Sequence, residues 1–107
     1  MSIITDESSR AFREARKFKK SNSEIKIEPS GNVYFRLFGN LIAMHSPRAK
    51  ELTIRDCGRQ TQTTKDRLNW ILYEFWLWSI IQRQWIWYLE TREWEKIRRN
   101  WQYFFNL

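Results

Sequence analysis

The chain has 107 residues and 13.3 kDa, one domain's worth, with 42% hydrophobic and 17% aromatic residues. That is enough to bury a core, and three Gly and two Pro are too few for a linker or low-complexity protein. One cysteine, Cys57, forms no internal disulfide, and with one histidine, His45, it excludes zinc sites built on Cys and His clusters. The balance of 19 Lys+Arg against 12 Asp+Glu gives a net charge of +7, which favours an anionic partner.

In chain order, residues 5 to 20 read as a short basic helix capped by Thr5 or Ser8. Phe12, Ala15 and Phe18 fall at helical spacing, and the polar side carries Arg10, Arg13, Arg16, Lys17, Lys19 and Lys20. A basic face of this kind either binds an anion or is simply solvated. Glu24 to Glu28 alternates with period two, Pro29 to Asn32 is a turn, and Val33 to Phe38 is a second strand. Leu41 to Met44 and Leu52 to Arg55 add two more, with His45 in the loop before Pro47. Past Gly58, Thr63 with Asp66 three residues on suggests a capping box, and Leu68, Ile71, Leu72 and Phe75 follow at one helical face. Ser79 to Glu90 is rich in aromatic and β-branched residues and reads as extended. One long helix from Thr63 to Leu89 competes with that reading, and the stretch from Arg92 fits helix or strand.

The expected architecture is α+β: an antiparallel meander from residues 23–55 and 79–90, packed on the helix that starts near Thr63. Its parts are a basic N-terminal segment (1–22), a core (23–90) and an aromatic, basic tail (91–107). Leu37, Ile42, Ile54, Leu68, Ile71 and Leu72 are the expected core. The most apolar run, Trp70 to Ile81, is interrupted by Glu74 and is shorter than a spanning helix needs. With no leader-like N-terminus, the expected location is the cytoplasm.

Phe35 to Ala43 (FRLFGNLIA), Leu52-Thr53-Ile54 with Cys57-Gly58, and Thr61 to Asn69 (TQTTKDRLN) resemble a family of small phage and prophage proteins. That family has a strand with Gly-Asn-x-Ile-Ala and a helix opening with Thr-x-Thr-Thr-Lys-x-Arg-Leu-Asn. The resemblance spans about residues 17 to 95. It implies a phage-type origin and no particular activity. The chain departs from the pattern at Arg59 and in the excess of Trp and Phe at 70–78 and after Ile97.

No phosphate loop, nucleophile elbow or metal-binding helix occurs, and no spacing singles out a pair among the carboxylates. The expected function is therefore non-enzymatic, with no cofactor and no metal. The candidate anion or nucleic-acid contacts are Arg13, Arg16, Lys17, Lys20, Thr63, Lys65, Arg67, Arg98 and Arg99. At Thr61 to Arg67 a helix N-terminus can attract phosphate, or Arg67 and Asn69 can instead bind the meander. Trp76, Trp78, Trp94 and Trp101 are the candidate partner-surface aromatics, suited to stacking on bases or to a protein interface. The expected partner is nucleic acid or a host nucleoprotein complex, including one of host defence such as a CRISPR effector. A protein–protein adaptor or virion component is the alternative, and homo-oligomerisation stays open.

Overall fold

The computed structural model describes residues 3–77, 79–90, 95–98 and 100–107, with side chains from residue 7 onward. Among the described residues, two helices and nine strands, all paired antiparallel, make the expected α+β fold. A six-stranded sheet has the order β1-β2-β3-β4-β5-β9, and a three-stranded sheet has β6-β7-β8.

Helix α1 (Ile3–Arg13) is shorter than the sequence suggests, because the chain turns left-handed at Ala15 (φ 55°). There Ala15 N donates to Phe12 O (3.3 Å) and Arg16 N to Ala11 O (2.9 Å), the Schellman pattern of helix ends. Phe18 to Lys20, expected in that helix, becomes edge strand β1 (Phe18–Lys20). Small residues face inward from α1: Ser8, Ser9 and Ala11 are buried with Phe12, which lets the helix lie close to α2.

The meander follows the alternation: β2 (Ser23–Ile27), β3 (Val33–Leu37), β4 (Asn40–Ser46) and β5 (Glu51–Arg55). A two-residue turn, Phe38-Gly39, joins β3 to β4 with both residues left-handed (φ 52° and 80°), as a tight hairpin requires. The register shifts between Phe35 and Arg36, and Ile42 is the extra residue of the bulge. That is why Ile42 and Ala43 are consecutive yet both buried. His45 is not in a loop: it lies within β4, buried, with its ring 4.7 Å from Phe75 and 5.9 Å from Phe12.

Helix α2 (Gln62–Glu74) is capped by Thr61, whose Oγ1 accepts from Thr64 N at 3.2 Å, so the cap is not Thr63. Asp66 takes Gln62 Nε2 at 2.8 Å instead of closing a capping box. The helix ends in a second Schellman pattern, Trp76 N to Tyr73 O (3.1 Å) and Leu77 N to Leu72 O (2.9 Å). This stop rules out a helix continuing to Leu89.

Residues 79–90 are extended as expected, but they do not join the meander. They form the hairpin β6 (Ile80–Arg83) and β7 (Ile86–Leu89), extended by β8 (Glu95–Ile97) into the second sheet. The sixth strand of the main sheet is instead β9 (Gln102–Asn106), from the aromatic C-terminal stretch, paired with β5. All six expected core residues are buried, together with Phe35, Leu52, Trp87, Leu89 and Phe105.

Candidate functional site

The register sorts the main sheet into two faces. Phe18, Ile25, Phe35, Ala43, Ile54 and Tyr103 share one cross-strand row, and Ile27, Val33, His45, Leu52 and Phe105 share another. These rows face the helices. Because side chains alternate along a strand, the intervening rows point the other way. Lys26, Tyr34, Met44, Thr53 and Phe104 make one outward row across β2, β3, β4, β5 and β9. Lys19, Glu24, Arg36 and Leu41 make the next, and Arg55 faces out beside Gln102. Except for Thr53, shaded between Met44 and Phe104, every one of these residues is exposed or half-buried.

This outer face carries charge. Lys17, Lys19 and Lys26 line a groove of about 490 Å³ at the β1–β2 edge, together with Phe18, Ile25 and Ile27 from the inward rows and with Glu24 as its only acid. Among the described residues no ion pair or side-chain hydrogen bond occupies Lys17, Lys19, Lys26 or Arg55. The Arg36 guanidinium lies 5.9 Å from the centre of the Tyr34 ring. Phe104 is 48% exposed at the β9 edge. The arrangement can neutralise an extended anion and offer flat π surfaces beside it.

Most cations singled out in the sequence are already engaged. Arg13 Nε donates to Glu74 Oε1 at 2.8 Å, which pushes the Arg13 pKa up, and Arg16 pairs with Glu14 at 2.8 Å. Lys20 Nζ is 3.9 Å from Glu7, and Lys65 Nζ donates to Gln82 at 3.1 Å. Arg67 is buried: its Nε donates to Ser23 Oγ (3.2 Å) and Nη2 to Asn22 Oδ1 (3.3 Å), tying α2 to the meander. Burial pushes its pKa down from the usual arginine value. Thr63 is half-buried in a cleft of about 180 Å³ that also holds the buried Asp56 carboxylate. An anion at the start of α2 would face that carboxylate and find the Thr64 N–H already taken. Lys17 is thus a member of the set that the fold gathers with other unpaired cations. Arg98 is exposed, and Arg99 lies outside the described residues.

The aromatics divide differently. Trp76 is 91% exposed, whereas Trp101 is half-buried and stacks on Tyr103 with centroids 5.7 Å apart. Trp78 and Trp94 lie outside the described residues. Sequence reasoning passed over Trp85 (89% exposed, at the β6–β7 turn) and Phe38 (62%, at the β3–β4 turn). Trp76, Trp85 and Phe38 all adopt positive φ (59°, 67°, 52°), which costs about 1–2 kcal/mol for a residue with a Cβ. It also missed Lys19 and Lys26 as a pair, Tyr34 with Arg36, and Phe104. The signal was available in the polar alternates of the meander strands, Lys26, Tyr34 and Arg36.

Among the described residues, no group of three or more His, Cys, Asp or Glu could hold a metal ion, and no helix is long and apolar enough to cross a membrane. Residues 1–106 match the family model described as Kyanoviridae Gp96 protein. No curated protein and no solved structure matches the chain.

Proposed function

The chain belongs to the Kyanoviridae Gp96 family of phage proteins, and on that premise we propose that it is a non-enzymatic accessory protein that binds nucleic acid, free or within a host nucleoprotein complex. The observation that supports this most is the groove of Lys17, Lys19 and Lys26 continuing onto the outer sheet face beside Arg36 and Tyr34. Phosphate contacts need cations not already neutralised, and these three lysines carry no ion pair among the described residues. A host-defence complex such as a CRISPR effector is the narrower form of the proposal, resting on phage origin and charge. Its place of action would then be the host cytoplasm.

Charge reversal tests it. Lys19→Glu with Lys26→Glu should weaken binding of a labelled oligonucleotide and flatten its salt dependence. Each exposed change should leave stability within about 0.5 kcal/mol. Equal binding and an equal salt slope in the variant would contradict the proposal.

A second reading, a protein–protein adaptor or virion component, draws on Phe38, Trp76 and Trp85. Exposed tryptophan and phenylalanine held at positions that favour glycine suggest a use for the rings. Association through them would persist at high salt.

A further inference from the structure

We propose that the nucleic acid carried by the outer face is single-stranded, with bases lying on Tyr34, on the Arg36 guanidinium and on Phe104; this rests on the nucleic-acid reading above. The argument is one of shape and charge. The outward row Lys26-Tyr34-Met44-Thr53-Phe104 crosses five adjacent strands. At about 4.8 Å per strand, Tyr34 and Phe104 stand roughly 14 Å apart with Met44 and Thr53 between them. That is a broad floor with a ring at each end.

Cations border this floor: Lys19 and Lys26 at the β1–β2 end, Arg36 beside Tyr34, and Arg55 beside β9. Two acids, Glu24 and Glu51, share the face, so the balance favours an anion. A duplex keeps its bases stacked inside and admits only narrow elements, a helix or a two-stranded ribbon, into a major groove about 12 Å wide. A sheet of six strands, about 24 Å across its strand axes, does not enter that groove. It can touch a duplex only at phosphates. An unpaired strand can turn its bases onto aromatic rings and an arginine plane while its phosphates meet the flanking lysines.

The test compares a labelled oligothymidylate with a duplex of equal length, by fluorescence anisotropy at low salt. The wild-type chain should bind the single strand at least about tenfold more tightly. Phe104→Ala and Tyr34→Ala should each lower single-strand affinity about 5- to 100-fold, as loss of one base stack does. Neither should change duplex binding or the far-ultraviolet circular dichroism, and Phe104→Trp should restore affinity. Equal affinity for both nucleic acids, unchanged in the alanine variants, would overturn the single-strand inference and leave nucleic-acid binding standing. Failure to bind either would overturn both and favour a protein partner.

Discussion

Trp76 occupies the left-handed position that ends α2, with its ring 91% exposed. Glycine normally takes that place because it lacks the Cβ that clashes there. Trp76→Gly should therefore raise stability by about 0.5–1 kcal/mol, the strain relieved less the entropy glycine adds to the unfolded chain. Thermal unfolding checks this as a Tm higher by a few degrees; a clear drop would mean the ring packs on something that stabilises the fold. His45 makes a second prediction at this scale. Burial between Phe12 and Phe75 pushes its pKa below 6.5, outweighing the hydrogen bond with the Phe12 backbone, and Nδ1 is buried without a partner. A folded pKa below the unfolded one means the unfolded chain binds the proton more readily. The contribution is complete above about pH 6.5 and is lost as pH falls below it toward the folded value. Urea midpoints should drop between pH 7 and pH 5.5 in the wild-type chain, and less in His45→Leu. Equal drops would show that the imidazole is not responsible.

Elements are joined here by single polar residues. Asn69 on α2 holds both backbone groups of Ile80, Nδ2 donating to its carbonyl (3.0 Å) and Oδ1 accepting from its N–H (2.6 Å). It stands in for a neighbouring strand at the edge of the second sheet. Asn69→Ala leaves two part-buried groups unpaired and should cost about 2–4 kcal/mol in urea unfolding. A loss under about 0.5 kcal/mol would show that water replaces it. This bond, with Arg67 to Ser23 and Thr61 to Thr64, gives the Thr61–Asn69 segment a structural use without a ligand. The alternation of Ile25 and Ile27, or of Val33, Phe35 and Leu37, made the meander legible, and so did the face Leu68-Ile71-Leu72. The stop of α1 was not, because Ala15 stands where glycine would have announced it, whereas the change of period after Phe75 placed the end of α2 within a few residues. Periodicity marked 79–90 as extended but carries no information on which strand pairs with which. So neither the separate second sheet nor the place of β9 beside β5 could be read. The candidate surface was hidden for the same reason. Lys17 was visible as charge, but its grouping with Lys26 depends on β1 folding back along β2.

At the scale of the whole molecule, two helices cover one face of the six-stranded sheet, and Lys19, Lys26, Arg36 and Arg55 lie on the other without an ion pair among the described residues. On the helical side, acids answer several of the basic residues: Glu74 pairs with Arg13 between α2 and α1, and Glu14 with Arg16 just after α1. The central claim is that the outer sheet face is the working surface, and Met44 reports on it directly. Its side chain sits in the outward row between Tyr34 and Thr53, and the chain has one other methionine. Methyl nuclear magnetic resonance during titration with oligothymidylate reads both faces at once. The Met44 methyl signal should shift progressively and saturably, while those of Leu72 and Ile71, buried at α2, stay in place. Shifts confined to α2 and the β6–β7 hairpin, with Met44 unmoved, would contradict the account.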